Sequence, residues 1–136
     1  MNKQGDLPQR RIVVGISGSS APHLGVAVLE ALTHVEGIET HLIMSAGARL
    51  TVKLEMSADP SSVEAFADVV HDPGDLAAGP SSGSFSTMGM VVAPCSMKTL
   101  AAIATGISTN PLTRAADVTL KERRPLVLVP ERRRST

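Results

Sequence analysis

The chain has almost no aromatic side chains. Its 136 residues include no tryptophan and no tyrosine, and the two phenylalanines are Phe66 and Phe85. A ligand that binds by ring stacking must therefore use aliphatic surfaces or another chain. Cysteine is nearly absent as well, because Cys95 stands alone. A single cysteine excludes an internal disulfide and favours a reducing compartment, so we expect a cytoplasmic protein.

The chain also lacks an excess of either charge and a long apolar run. Its 13 Lys and Arg residues balance 13 Asp and Glu residues, which argues against binding to nucleic acid or an anionic membrane. No apolar run reaches the ~20 residues that span a bilayer, and the N-terminus lacks the apolar core of a signal peptide. The length fits one domain. We expect this domain at residues 11–130, between polar tails at 1–10 and 131–136.

Short apolar runs alternate with helical spacings along the chain. Strands are predicted at Arg11–Ser17, Ile38–Met44, Asp68–His71, from Met90, and at Leu126–Val129. Helices are predicted from about Ala21 to Val35, at Ala46–Met56, at Ser62–Phe66, after Ser96, and at Leu112–Arg123, and Asp72–Ser86 is predicted to be loop. The strands are apolar on both sides, which is typical of a parallel sheet covered by helices on both faces. We therefore predict an α/β fold.

Small and hydroxyl-bearing residues follow three of the predicted strands. These turns are Gly18-Ser19-Ser20, Ser45 and Ser96 to Thr99. Ligands of parallel sheets bind at the carboxyl ends of the strands. Ser96 is a good N-cap, and Lys98 and Thr99 follow it at a helix N-terminus, so this turn predicts an anion site, most simply for a phosphate. An ordinary capped connection between a strand and a helix is the alternative.

The glycine pattern and the histidines exclude several ligand classes. Gly15-Ile16-Ser17-Gly18 is not the dinucleotide fingerprint, and Met44 and Ser45 stand where a ribose-binding acid would lie. A cofactor with a single phosphate therefore fits better than a dinucleotide, and without a P-loop lysine a nucleoside triphosphate is disfavoured. The four histidines show no metal-ligand spacing, so we expect no metal and histidines that are solvated or capped.

Charged residues follow one another at helical spacing near the C-terminus. Arg114, Asp117 and Lys121 lie three and four residues apart, so they share one face of the predicted helix. A solvated face with ion pairs is one interpretation. The other is that Arg114 clamps a phosphate with its planar guanidinium. Cys95 is interpreted as a small packing residue rather than a nucleophile, because no His and Asn spacing accompanies it.

Three segments resemble the flavin prenyltransferases of the UbiX type. They are Gly15–Ser20 (GISGSS), Ala93–Ala104 (APCSMKTLAAIA) and Leu112–Arg124 (LTRAADVTLKERR), and the likeness runs from about Arg11 to Pro130. The resemblance implies a flavodoxin-like or Rossmann-like three-layer sandwich with a mostly parallel sheet, FMN as cofactor, and a homo-oligomer, often a dodecamer. It also implies transfer of a dimethylallyl group from dimethylallyl monophosphate to FMN. The product, prenylated FMN, would then serve a UbiD-type decarboxylase.

The resemblance assigns roles residue by residue. The residues that it implies for FMN binding are Gly18, Ser19, Ser20, Ser45, Ser96, Met97, Lys98, Thr99 and Arg114. Ser20, Glu55 and Lys121 would border the donor phosphate and assist proton movements. The chain departs from the family at Val129-Pro130-Glu131-Arg132, where the two charges are exchanged. The family then continues into a segment with a tyrosine and a basic residue that bind the donor phosphate, so we expect impaired prenyl transfer but intact FMN binding.

Two other functions remain open. The first is a non-catalytic FMN carrier or assembly subunit, which the absence of that tyrosine favours. The second is a flavin-dependent cysteine decarboxylase of the same superfamily. Those enzymes have a P-[AT]-[ST]-A-N-T turn, whereas this chain has Pro94-Cys95-Ser96-Met97-Lys98-Thr99, which argues against the second alternative.

Overall fold

A computed structural model of the chain describes residues 10–18, 22–74, 79–81 and 85–130. The strands are β1 (Arg10–Ile16), β2 (Ile38–Met44), β3 (Val69–His71), β4 (Gly89–Cys95) and β5 (Leu126–Pro130). The helices are α1 (His23–Thr33), α2 (Ala46–Glu55), α3 (Pro60–Glu64), α4 (Met97–Thr105) and α5 (Pro111–Lys121). A 3₁₀ turn at Gly79–Ser81 lies within the predicted loop. No helix of these described ranges is long and apolar enough to cross a membrane.

The strands form one sheet in the order β3-β2-β1-β4-β5. Every pairing between the described strands is parallel, so the sheet is parallel throughout rather than mostly parallel. The prediction of an α/β fold of the flavodoxin-like or Rossmann-like type is confirmed. The chain moves outward from β1 in one direction up to β3 and then crosses to β4 on the other side. The carboxyl ends of β1 and β4 therefore form the switch point at which such sheets bind ligands.

Two apolar cores cover the two faces of the sheet. Val13 and Val14 are neighbours on β1, point to opposite faces, and are 1% and 0% exposed. The face of Val13 packs against α5 through Leu112, Ala115 and Ala116. The face of Val14 packs against Leu29 of α1, Val52 of α2 and Val63 of α3. This arrangement is the three-layer sandwich, with α4 and α5 on one side and α1, α2 and α3 on the other.

The first helix is shorter than its apolar spacing predicts. It begins at His23 instead of about Ala21, with Pro22 at the N-cap, and it ends at Thr33. Val35 continues the spacing but lies beyond the helix and is 47% exposed. The spacing alone therefore overestimates the helix, because Val35 finds no core to pack against.

Local capping moves the ends of two other helices. Helix α3 begins at Pro60 instead of Ser62, because the Asp59 side chain accepts a hydrogen bond from the Ser61 N–H at 3.0 Å. Helix α5 ends at Lys121 instead of Arg123, because Arg123 has a φ of 57° and so leaves the helical region. The other predicted ends differ from the structure by at most two residues, and both ends of β2 coincide with the prediction.

His41 is a buried exception to the prediction of solvated or capped histidines. His41 is 4% exposed, and its Nδ1 lies 2.9 Å from Nε2 of His71 on the neighbouring strand. Its Nε2 lies 2.7 Å from Oε1 of Glu39. The parallel register of β2 and β3 brings these rings together. Gly79 packs against the ring of His71, since a Cβ there would lie 2.5 Å from Cε1 of His71.

Candidate functional site

A cleft of about 740 Å³ opens at the carboxyl ends of the strands. Its polar walls are the first turns of three helices, α2, α4 and α5. The residues that line it there are Ser45, Ala46, Gly47, Ser96, Lys98, Thr99 and Asn110 to Thr113, and Gly18 joins them from the turn after β1. The remaining lining residues are Ile43, Met44, Pro73, Ala101, Ala102, Thr105, Ile107 and Thr109. Each helix N-terminus carries about half a positive charge, so the cleft suits an anion attached to an apolar body.

Serine side chains cap two of these three helices. Oγ of Ser45 accepts from the Ala48 N–H at 3.0 Å, and Oγ of Ser96 accepts from the Thr99 N–H at 3.1 Å. The Ser96 hydroxyl also donates to Oγ1 of Thr99 at 3.0 Å. A helix N-terminus leaves four N–H groups without partners inside the helix, and a cap satisfies one of them. The first turns of α2 and α4 therefore offer further donors to an anion.

The third helix N-terminus that lines the cleft is that of α5. Asn110 caps α5, because its Oδ1 accepts from the Thr113 N–H at 2.9 Å, and the Thr113 side chain completes a capping box. Asn110 and Pro111 form a recognisable start signal. Combined with the two serine caps, this helix start signal would have allowed the N-terminus of α5 to be predicted as a wall of the cleft. The aliphatic residues of the cleft carry no comparable local signal.

The turn after β1 packs directly on the start of α2. A Cβ placed on Gly18 would lie 2.9 Å from the carbonyl carbon of Gly47, which is closer than real Cβ atoms come to backbone. Glycine is therefore required at position 18 if the two turns are to keep their separation. This contact brings the backbone of two cleft walls together.

Five of the residues assigned from the resemblance line the cleft: Gly18, Ser45, Ser96, Lys98 and Thr99. Met97 is the first residue of α4, but its side chain is 56% exposed and does not line the cleft. Ser19 and Ser20 lie outside the described residues. The structure thus brings together residues from three separate strand ends, as the parallel sheet predicts.

The other three assigned residues do not line the cleft of their own chain. Arg114 is exposed on α5, and its Nε donates to the Ser81 carbonyl at 3.4 Å. Glu55 is the last residue of α2, and Lys121 is the last residue of α5. Each lies about 15 Å along its helix from the end that lines the cleft. Nζ of Lys121 lies 3.0 Å from Oδ2 of Asp117, as the predicted shared face requires.

Cys95 lies beneath the cleft, directly before Ser96. It is fully buried, and this burial raises the pKa of its thiol above the ordinary value of 9.0. A raised pKa keeps the thiol neutral and therefore a poor nucleophile. The interpretation of Cys95 as a packing residue agrees with this environment. Among the residues that the structure describes, no group of three or more His, Cys, Asp or Glu side chains is placed to hold a metal ion.

Comparisons with known proteins agree with this geometry. The family model described as "Flavoprotein" matches residues 1–136. The chain is 56% identical to the flavin prenyltransferase UbiX of Escherichia coli K12 over 119 residues, which is 88% of this chain and 63% of that protein. The chain therefore spans less than two thirds of the length of this curated relative.

Two solved structures are also similar to the chain. AnUbiX in complex with FMN and dimethylallyl pyrophosphate is 53% identical, with a TM-score of 0.85, over 90% of this chain and 64% of that one. A dodecameric FMN-dependent UbiX-like decarboxylase from Escherichia coli O157:H7 is 51% identical, with a TM-score of 0.86, over 90% of this chain and 67% of that one. The chain therefore belongs to the flavoprotein family, and the relatives to which it is similar within that family are UbiX and UbiX-like proteins.

Proposed function

We propose that the protein binds FMN and transfers a dimethylallyl group to it from dimethylallyl monophosphate. The observation that carries this proposal is the cleft itself, in which three helix N-termini meet an aliphatic surface. Relatives that are named flavin prenyltransferases, and a neighbour solved with FMN and dimethylallyl pyrophosphate, support it. The product would be prenylated FMN, and a UbiD-type decarboxylase would receive it. A cytoplasmic location stays a prediction.

The described residues fit a flavin mononucleotide. The cleft volume of about 740 Å³ lies within the roughly 300–1,000 Å³ that is usual for small-molecule sites. The lining includes Lys98 but no Asp or Glu among the described residues, so the cleft is electrostatically suited to phosphate. Gly18, Ser45, Ser96, Lys98 and Thr99 would hold the cofactor. Reduced FMN, when bound, would supply the nucleophilic ring that accepts the prenyl group.

Lys98 gives an independent reason to expect an anion. It lies in the first turn of α4, where the helix dipole disfavours a positive charge. It also lines the cleft. A bound phosphate would offset this unfavourable placement, because a hydrogen bond to a charged group contributes about 1.5–3 kcal/mol. The roles of Ser19, Ser20, Met97 and Arg114 in FMN binding remain part of the proposal.

Transfer of the dimethylallyl group requires the protein to stabilise the phosphate that leaves the donor. The carbon–oxygen bond of the donor would break as the dimethylallyl carbon becomes bonded to the flavin ring, and negative charge would develop on the phosphate that departs. Preorganised N–H groups and cations stabilise such charge most effectively in a site that excludes water. The three helix N-termini provide donors for two neighbouring anions, one on the flavin and one on the donor. A monophosphate donor remains a proposal, since the neighbouring structure contains the pyrophosphate.

Glu55 and Lys121 are proposed to act on the cleft of another copy of the chain. Both lie at the far ends of helices whose first turns line the cleft. Leu54, directly before Glu55, and Leu50, one turn earlier on α2, are 71% and 57% exposed, which is typical of a surface that another protein covers. A 51% identical neighbour is dodecameric, so we propose that a second copy covers this surface. Glu55 would then lie at the boundary between copies.

The alternative of a non-catalytic FMN carrier is favoured by one observation. Glu55 and Lys121 do not line the cleft of their own chain, so a single copy has an FMN site without the two residues assigned to proton movements. The experiment that separates the two functions begins with the ligand. We expect the purified protein to bind FMN. Mass spectrometry after anaerobic incubation with reduced FMN and dimethylallyl monophosphate distinguishes a carrier, which returns FMN, from a transferase, which returns prenylated FMN.

A further inference from the structure

The hydroxyl of Ser17 lies buried between the ends of β1 and β4. Ser17 follows β1, is 1% exposed, and does not line the cleft. Its Oγ donates to the Pro94 carbonyl at 2.9 Å. The same Oγ accepts from the Ser96 N–H at 2.7 Å. The hydroxyl therefore uses its donor and one acceptor position at the same time. One partner, Pro94, lies near the end of β4, and the other, Ser96, directly follows that strand.

These two bonds replace the sheet ladder at the point where it ends. The register between β1 and β4 runs from Ile12 opposite Gly89 to Gly15 opposite Val92. Beyond that pair, Ser17 holds the two strand ends together, through its side chain and through its N–H, which donates to the Pro94 carbonyl at 3.2 Å. Without the side-chain bonds, only the backbone bond among these three would remain.

The two connected segments are both walls of the cleft. Gly18 comes directly after Ser17, and Ser96 is the N-cap of α4. Because the Ser17 hydroxyl binds the N–H of Ser96, it fixes where the first turn of α4 lies relative to the turn after β1. A shift of that turn would misdirect the N–H groups that an anion needs, although Ser17 itself touches no ligand.

We propose that Ser17 is a positioning residue for phosphate binding in this cleft. Its hydroxyl holds the N-terminus of α4 at the correct distance from Gly18, and so raises the affinity for the phosphate end of FMN. This inference rests on the proposed function of the cleft. It assigns a role to a residue that the resemblance did not include in the FMN site.

The test compares FMN with riboflavin, which has the same ring system but no phosphate. Dissociation constants of both ligands would be measured by flavin fluorescence for the wild type and for Ser17→Ala, Ser17→Thr and Ser17→Cys. We expect Ser17→Ala to weaken FMN binding by about tenfold, as the loss of well-made hydrogen bonds predicts, while riboflavin binding stays within about twofold. Ser17→Thr keeps a hydroxyl and should restore FMN binding to near the wild-type value.

A matched control removes another buried hydroxyl far from the cleft. Thr119 is 3% exposed, and its Oγ1 donates to the Ala115 carbonyl at 2.7 Å. Thr119→Val should lower the melting temperature without changing the ratio of FMN to riboflavin affinity. If Ser17→Ala lowers both affinities alike, or neither, Ser17 is merely structural and the inference is overturned.

Two further outcomes are distinguishable from these. Should Ser17→Ala fail to fold, the near-isosteric Ser17→Cys gives the same comparison, with FMN binding expected to weaken more than riboflavin binding. An equal effect of Cys on both ligands would overturn the inference. If the wild type binds neither ligand, the proposed function fails, and the role of Ser17 in phosphate binding fails with it. If the wild type binds FMN and Ser17→Ala binds it equally well, only the role of Ser17 fails.

Discussion

Gly18, after β1, approaches Gly47, in the first turn of α2, so closely that a Cβ on Gly18 would lie 2.9 Å from the carbonyl carbon of Gly47. This contact joins two walls of the cleft through backbone alone. It also makes the separation of those walls sensitive to a single methyl group. Gly47 tolerates a side chain better than Gly18 does, because a Cβ on Gly47 would lie 3.5 Å from Cα of Gly18, which is an ordinary contact distance.

Gly18→Ala should therefore push the turn after β1 away from α2. Overpacking of this kind costs about 1–3 kcal/mol of stability, and we expect FMN binding to weaken together with it. The measurements are thermal unfolding and FMN titration. Gly47→Ala is the matched control, and it should keep the wild-type stability or exceed it, since alanine favours a helix more than glycine does. Equal loss of stability in both variants would contradict the structural account.

Lys98→Ala should weaken FMN binding by about tenfold or more, because it removes a charge-assisted bond of about 1.5–3 kcal/mol. The free protein should not become less stable, since the change removes a cation from a helix N-terminus. Affinity would be measured at several salt concentrations. The wild type should show the steeper salt dependence.

Lys53→Ala is the control for the loss of one positive charge. Lys53 is exposed in the last turn of α2, at the end of that helix away from the cleft. Lys53→Ala should leave both the affinity for FMN and the salt dependence of that affinity unchanged. Lys98→Ala with wild-type FMN affinity would show that the first turn of α4 does not bind the phosphate.

A mixing experiment tests whether sites are shared between copies. At FMN concentrations below its dissociation constant, Lys98→Ala should have little activity because its cleft binds FMN weakly. Lys121→Ala should be inactive because the proposed proton-transfer group is lost. If Lys121 acts on a neighbouring copy, mixed oligomers should regain prenyl transfer, since an intact cleft then meets an intact Lys121. The exchange of subunits in the mixtures would be verified by mass spectrometry. If the mixtures nevertheless stay inactive, Lys121 acts in the site of its own chain or in no site.

The buried Cys95 predicts a specific pH dependence. Burial raises the pKa of its thiol above 9.0, so the folded state binds this proton more tightly than the unfolded state does. The resulting stability is present below the unfolded pKa and decreases as the pH rises toward the folded one. Cys95→Ala should abolish this part of the decrease. The difference in free energy of unfolding between wild type and variant, measured from pH 7 to pH 10, checks this, and a constant difference would contradict it.

Helix caps were predictable from the sequence because capping is local. Ser45 and Ser96 stand directly before their helices, and each accepts a hydrogen bond from the N–H three residues later. The parallel sheet then explains why their turns meet. The same reasoning cannot give the aliphatic lining, because Ile43 and Ile107 reach the cleft only through the packing of whole helices on the sheet.

Other features depended on tertiary contacts that no short pattern contains. The hydrogen bond between His41 and His71 follows from the register of β2 and β3, which the sequence does not specify. The helical spacing of the sequence continues through Arg123. Helix α5 nevertheless ends before this residue, because the backbone of Arg123 is left-handed. The distance of Lys121 from the cleft follows from the direction in which α5 runs, which only the structure shows. From the sequence, helical spacing predicts only that Lys121 and Asp117 share one face of the helix.

The most direct test of the central claim is to incubate the 136-residue protein anaerobically with reduced FMN and dimethylallyl monophosphate, and to identify the flavin by mass. A parallel sample with dimethylallyl pyrophosphate tests the donor. The account predicts that the protein retains flavin and that part of it gains the mass of a dimethylallyl group in the monophosphate sample. Flavin that is retained but unmodified with both donors would contradict the transferase function and leave a carrier. A protein that retains no flavin would contradict the FMN site itself.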